Sequence, residues 1–379
     1  MNSHNEQYQL AQSLLQDFLN RSGITSKNGN SRRRYLWTDA FALRTLLMVD
    51  GMEDYNSSSA VSEIIHQVHN VLGRFRNDDH RKGWISGLPE EEGSRCPTKR
   101  GLRIGKHMPE RKPDEPFDRQ LEWERDGQYF HYNSQWVFSL IEAYNEYNNT
   151  DYLKWAANMI NACKKFIYCD AEPAGMFWKM STDLTHPLIQ SMGAHDPLDG
   201  LICCEMILAN DEAYESEIED VRNDFEYLCQ NKNWSTSDPL GIGVLLMNLY
   251  QATKIVEGGK EVPRSMYPAK LMKDAVQGLN NFSNKFDFDA TANQRLAFRE
   301  CGISLGLRII NQYKSTIAKY ASEVNLLDNY YHISDRIDDF WSHSENRKSN
   351  TWTDHLDINA VMLACSLIAK EENHLQLSK

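Results

Sequence analysis

Apolar runs of two kinds alternate along this chain, and the alternation leaves few folds open. In the first kind one apolar stripe recurs with helical spacing beside a polar face. Examples are Leu10, Leu14, Leu15 and Phe18; Val61, Ile64, Ile65, Val68 and Leu72; and Trp155, Met159, Ile160, Cys163 and Phe166. Ile218, Val221, Phe225 and Leu228 make another, as do Leu271, Ala275, Leu279 and Phe282, and more weakly Ile317, Tyr320 and Val324. This is the period of an amphipathic helix. The second kind is apolar nearly all round, over 36–49, 129–144, 198–209, 240–250, 296–310 and 352–368. Such helices are buried on most sides. No convincing series of strands is present.

Six pairs of one wet and one dry helix predict two layers, the dry helices inside and the wet ones outside. An open solenoid needs a polar outer face on its last repeat. The last run, from Trp352, is apolar all round, so closure onto the first pair is expected instead. The expected fold is therefore all-α, a closed (α/α)6 barrel (toroid) of six helical hairpins forming a single domain over 1–379. The repeats share no detectable sequence, which excludes tetratricopeptide and ankyrin arrays.

Composition narrows the function classes. A net charge of −12 argues against a nucleic-acid surface. No apolar stretch is long enough for a membrane span, and residues 1–10 lack the layout of a signal peptide, so a cytoplasmic protein is expected. The eight cysteines fall mostly on apolar helical positions and read as reduced small hydrophobes. HExxH, GxSxG and GxGxxG motifs are lacking, and 101–106 has the wrong spacing for a phosphate loop. Neither a metal nor a cofactor is expected. The oligomeric state is left open.

The connections are unequal. The longest, 76–125, is rich in charge, Gly and Pro; a second, 169–196, carries Met176, Phe177, Trp178 and Lys179. Connections of that length are usually functional, and both are expected over a cavity.

Chemistry concentrates where the dry helices begin. Each starts at or near an aspartate, as in Trp37-Thr38-Asp39, Asp126-Gly127-Gln128-Tyr129-Phe130-His131, His195-Asp196-Pro197-Leu198-Asp199, Asp238-Pro239-Leu240 and Trp352-Thr353-Asp354-His355. Helix capping explains an Asp there, most simply for Asp238. The accompanying Trp, Tyr and His residues are not needed by a cap. Carboxylates beside aromatic faces suit a neutral polyol, and two such acids can protonate a glycosidic oxygen and activate water. The expected catalytic pair is Asp126 and Asp39, with Glu122 as reserve acid. Asp126 precedes Gly127, where backbone can approach a ligand, and carboxyls among rings have raised pKa values. Expected substrate-binding residues are Trp37, Tyr129, His131, Trp178, Lys179, His195, Asp196, Asp199, Trp352, Asp354, His355 and Arg103.

The basic cluster Lys99, Arg100, Arg103, Lys106, His107, Arg111 and Lys112 has two readings. It is a lid for an anionic group on a carbohydrate, such as phosphate or a uronate carboxylate. Alternatively it is neutralised by Glu90, Glu91, Glu92, Asp114 and Glu115 nearby.

The segments 35–41 (Tyr-Leu-Trp-Thr-Asp-Ala-Phe) and 352–359 (Trp-Thr-Asp-His-Leu-Asp-Ile-Asn) resemble six-hairpin glycosidase-like proteins. Segments 83–88, 126–132 and 195–200 resemble a bacterial group within that superfamily, and the resemblance covers nearly the whole chain. It implies the (α/α)6 fold and a carbohydrate-active protein. Glycoside hydrolysis by a carboxylate pair is the leading reading. A sugar epimerase or isomerase using a His pair such as His131 and His355, and a non-catalytic sugar-binding or scaffold protein, are the alternatives.

Overall fold

The structure is a computed structural model and describes residues 3–25, 33–50, 57–169 and 173–377. Along the chain the helices are α1 (Ser3–Arg21), α2 (Leu36–Asp50), α3 (Ser58–Leu72), α4 (Glu90–Arg95), α5 (Arg119–Glu124), α6 (Phe130–Tyr147), α7 (Thr150–Ala162) and α8 (Asp196–Asn210). They continue as α9 (Glu215–Cys229), α10 (Pro239–Glu257), α11 (Pro268–Ser283), α12 (Ala297–Gln312), α13 (Lys314–Ile317), α14 (Tyr331–Ser342), α15 (Asn350–Thr353) and α16 (Leu356–Leu377). Among the described residues five short strands interrupt them: β1 (Gln128–Tyr129), β2 (Ile167–Tyr168), β3 (Gly175–Met176), β4 (Lys179–Met180) and β5 (Pro187–Ile189).

The described residues fall into two compact units. One comprises Ser22–Leu47 and Asn56–Cys229; the other comprises Met1–Arg21, Met48–Tyr55 and Gln230–Lys379.

In the first unit, dry helices neighbour each other, and α6 and α8 each carry a wet partner. Helix α6 packs on α7 and α8, and α8 on α9. Ser139 Oγ donates to the Ala40 carbonyl and Arg44 to Glu142, which ties α2 to α6. The wet helix α3 buries Val61, Ile64, Ile65, Val68 and Leu72, each contributing about 1.5–3 kcal/mol on leaving water.

The second unit repeats the scheme, with α10 on α11 and α12, α12 on α14 and α16, and α16 on α1. Helices α10 and α12 touch backbone to backbone: a Cβ on Gly243 would lie 2.1 Å from the Gly302 carbonyl oxygen.

Two expectations need correction. The wet partner of α12 is α14, which buries Ile333, Ile337 and Trp341, and not the stripe from Ile317 to Val324, which forms only α13 and a 3-10 turn. The last dry run is broken at Asp354, where the polar Thr353-Asp354-His355 step is exposed. The connection 76–125 carries α4 and α5.

Candidate functional site

The first unit gathers a cluster of rings where α2 and α6 begin. The chain enters α6 through β1, which pairs antiparallel with β4 so that Tyr129 stands opposite Lys179; β4 in turn pairs with β5. Phe130 N donates to the Trp178 carbonyl at 3.3 Å. This pairing carries Trp178, from the 169–196 connection, onto the start of α6.

Tyr129 stacks on His131 with centroids 5.3 Å apart, and Trp178 lies 5.8 Å from each. From α2, Trp37 reaches His131 at 5.8 Å and Tyr132 at 5.3 Å. Trp123, from α5, meets Trp178 edge-on at 5.1 Å. Two hydrogen bonds pin the rings: Tyr35 to Tyr132, hydroxyl to hydroxyl, at 2.6 Å, and Trp178 Nε1 to His131 Nδ1 at 2.9 Å.

Depth within the cluster is graded. Trp37 and Tyr129 are buried, whereas Tyr35, His131, Tyr132 and Trp178 are half-buried and Trp123 is 39% exposed. Both buried rings hold a polar atom without a hydrogen-bond partner, the Trp37 Nε1–H and the Tyr129 hydroxyl. A buried polar group left unpaired costs about 1–3 kcal/mol. Burial pushes the Tyr129 phenol well up, and the nearby Tyr35, Glu122, Glu124 and Asp126 add to the shift. It is a neutral donor at any working pH.

The three acids expected to be catalytic are held by donors. Asp126 is wholly buried; its Oδ1 accepts from Gly105 N (2.9 Å) and Lys106 N (3.3 Å), and its Oδ2 from Arg103 (2.8 Å). A carboxylate so occupied anchors the 101–107 segment. Gly127 has φ +139°, and a Cβ there would meet the Met180 carbonyl oxygen at 2.7 Å, so its close approach serves the strand pairing and not a ligand. Glu122 is buried between Lys179 Nζ and Arg111 Nε, both at 2.9 Å. Lys179 is corrected likewise: its ammonium spends three donors on Glu122 Oε1 and the carbonyls of Glu122 and Arg125, and it is 0% exposed. Asp39 is buried at the start of α2; Oδ2 accepts from Tyr35 N at 3.1 Å, and Oδ1 lies 3.4 Å from Arg34 Nη1.

Sequence reasoning passed over Glu124. It closes α5, a helix capped by Asp118, whose side chain accepts from Gln120 N and Leu121 N. Its carboxylate is exposed and, among the described residues, makes no hydrogen bond or ion pair. It is nonetheless near enough to shift both Tyr129 and His107. Residues two apart on a helix face opposite ways, so Glu122 and Glu124 could not share one role; that spacing was the available signal. Tyr35, Tyr132 and Trp123 also join the cluster unannounced.

The remaining candidates scatter. Arg103 is nine-tenths buried, bonded to Asp126 and to the Arg74 and Val71 carbonyls. His195 holds the N-cap position of α8 without a side-chain cap bond, and Asp196 and Asp199 are buried in its first turn. Asp196 does not cap α8 but reaches back to accept from Gly193 N at 2.8 Å; burial pushes its carboxyl up to about 7. Asp238, by contrast, caps α10 by accepting from Gly241 N. Trp352, Asp354 and His355 belong to the second unit, where Trp352 is buried against Trp341 at 5.7 Å and the other two are exposed.

Comparison with known proteins adds the fold. No protein-family profile matches the chain, and no curated protein matches it. Among solved structures it is similar to a GH76 alpha-mannanase of Bacteroides thetaiotaomicron, at 12% identity, TM-score 0.56, and coverage of 100% of this chain and 97% of that one. It is also similar to an alpha-1,6-mannanase of a Salegentibacter species bound to alpha-1,6-mannotriose, at 11% identity, TM-score 0.53, and coverage of 97% and 99%. These likenesses show the fold, an all-α (α/α)6 barrel, as the helix alternation implied. No described helix is long and apolar enough to cross a membrane.

Proposed function

We propose that the chain is a cytoplasmic carbohydrate-active enzyme, a glycoside hydrolase built as a single (α/α)6 domain, whose sugar site is the ring cluster of Trp37, Tyr129, His131, Tyr132 and Trp178. One observation carries the reading: two buried polar atoms, Trp37 Nε1 and the Tyr129 hydroxyl, lack partners inside a cluster of rings. A sugar offers hydroxyls to those atoms and C–H faces to the rings. The cytoplasmic part rests on eight unbridged cysteines, six of them buried.

Hydrolysis needs one carboxyl to protonate the glycosidic oxygen as the C–O bond breaks, and a second carboxylate to take a proton from the attacking water or to trap the cation. Glu124 is the acid that stands open beside the cluster. Asp39, two residues from Trp37, is its proposed partner. Asp126 and Glu122 are positioning residues, which fix the 101–107 segment and the Lys179 strand. Among similar structures, one mannanase variant is inactive with asparagine at two adjacent aspartates. Adjacent aspartates occur here only at 78–79 and 338–339. Asp78 and Asp79 pair with Arg76 and Arg81, and Asp338 is buried against Arg308. A mannanase mechanism therefore does not follow from the shared fold.

The epimerase reading needs His131 as a base. Its Nδ1 lone pair is already used by Trp178, which weighs against that role. The test is release of reducing ends from a glycan panel, beginning with alpha-1,6-mannooligosaccharides, with calorimetric binding in parallel. Turnover that Trp37→Phe weakens supports the hydrolase. Binding without turnover supports a lectin-like protein, and solvent deuterium entering a free sugar supports the epimerase. No binding by any glycan overturns the reading.

A further inference from the structure

We propose that the basic cavity beside the ring cluster binds an anionic group of the sugar, a carboxylate or a phosphate. The proposal rests on the carbohydrate reading above and names its substrate class. The cavity is about 550 Å³, within the range of small-ligand sites. Arg34, Arg74, Arg76, Arg103, Lys106 and His107 line it.

Its charge is not cancelled from within. Arg74 pairs with Glu90, Arg76 with Asp78, Arg103 with Asp126, and Arg34 lies against Asp39. Lys106 is left over: among the described residues it makes no ion pair, and its ammonium stands 5.4 Å from the centre of the Tyr35 ring. Arg34 is 1% exposed, and its Nη1 makes no hydrogen bond. In a chain of net charge −12, an unpaired lysine among four arginines, two of them buried, is a local reversal of sign.

The arginines are built in. Arg76 donates to the carbonyls of Lys106 and His107 (2.6 and 2.7 Å), and Arg103 to those of Arg74 and Val71 (2.9 and 2.8 Å). These contacts fix the wall before any ligand arrives, which lowers the ordering cost of binding. Partial burial, and then Arg33, Arg76 and Lys106, hold the His107 imidazole below its usual range against the opposing Glu124, so the walls already disfavour one more positive charge.

Tyr35 connects the cavity to the sugar site. Lys106 stands over its ring, and its hydroxyl bonds Tyr132 inside the cluster. A sugar seated on the rings can thus direct a charged substituent towards Lys106. Of the acids expected to neutralise the basic loop, Glu90 and Glu115 instead pair with Arg74 and Arg125, while Arg103 and Arg111 of the loop pair with Asp126 and Glu122.

The test uses the full chain and calorimetry with four probes: alpha-1,6-mannobiose, mannose 6-phosphate, a glucuronate-bearing disaccharide and inorganic phosphate. The expected result is at least ~10-fold tighter binding of one or both charged sugars than of the neutral one, with salt weakening only the charged probes. Lys106→Met should remove that advantage and leave mannobiose affinity unchanged. The preferred charged sugar then tells carboxylate from phosphate. Equal affinity for charged and neutral sugars, or a preference that survives Lys106→Met, overturns the cavity while the carbohydrate reading stands. Phosphate binding that Lys106→Met abolishes, with no sugar bound, supports the cavity and fails the carbohydrate reading.

Discussion

The indole Nε1 of Trp178 donates a hydrogen bond to Nδ1 of His131 across 2.9 Å, joining the 169–196 connection to the first turn of α6. Indole can only donate, so Nδ1 must accept, and the proton of the neutral imidazole resides on Nε2. Trp178 thereby makes His131 a donor, the form that suits a sugar oxygen. The β1–β4 pairing that delivers Trp178 thus sets the chemistry of a residue 47 positions away.

Trp178→Phe keeps the ring and removes the donor. Nitrogen-detected NMR of the imidazoles should show a single Nε2–H tautomer for His131 in the parent chain and a mixture in the variant. Glycan affinity should fall about 5- to 10-fold, the worth of one hydrogen bond. An unchanged tautomer would show that other contacts fix the ring.

The Glu122–Lys179 pair is buried on both sides, at 1% and 0% side-chain exposure. Losing one member of such a pair typically costs about 3–5 kcal/mol, because the other charge stays buried. Lys179→Met should show a loss of that order in chemical denaturation, even though Arg111 still holds Glu122. Glu122→Gln with Lys179→Met should recover part of it. A double variant that is fully additive would mean that the two side chains act independently.

Asp196 gives a pH dependence. Its folded pKa of about 7 lies above the ordinary value of 3.8, because burial disfavours the charge. A raised folded pKa contributes stability that is complete below the unfolded pKa and is lost as pH rises through the folded one. Between pH 5 and 7 the parent should therefore lose up to ~2–3 kcal/mol relative to Asp196→Asn, which stays neutral. Denaturation midpoints that track each other across that range would contradict this.

What the sequence made legible follows from what periodicity records. Leu36–Asp50 and Pro239–Glu257 announce burial because apolar side chains occupy every face. Helix α14 was harder to see: Ile333, Ile337 and Trp341 keep the spacing, but Ser334 and Asp338 fill the same buried face as partners of Ser304 and Arg308. At the site, aromatic residues were visible as types, and Trp37, Tyr129, His131 and Trp178 do meet. The donors that hold the acids were not legible, because they lie remote in sequence. Nothing near Asp126 tells that Arg103, 23 positions earlier, will occupy its Oδ2. Nor does the run 122–124 say which glutamate turns inward until α5 is known to end there.

That inward and outward split sets the most informative comparison. Glu124→Gln changes an exposed carboxylate without a partner, so its stability cost should stay within about 0.5 kcal/mol. If Glu124 protonates the glycosidic oxygen, kcat on a cleaved glycan should drop ~10²-fold or more while KM changes little. Asp126→Asn should do the reverse. Asparagine can still accept from Gly105 N and Lys106 N, but it leaves the Arg103 guanidinium buried without its counter-charge. A loss of about 3–5 kcal/mol in unfolding free energy is expected, with residual turnover in whatever fraction stays folded. A folded Asp126→Asn that has lost all turnover, beside a Glu124→Gln that turns over normally, would return the chemistry to Asp126. It would also require Arg103 to move away from that carboxylate when substrate binds.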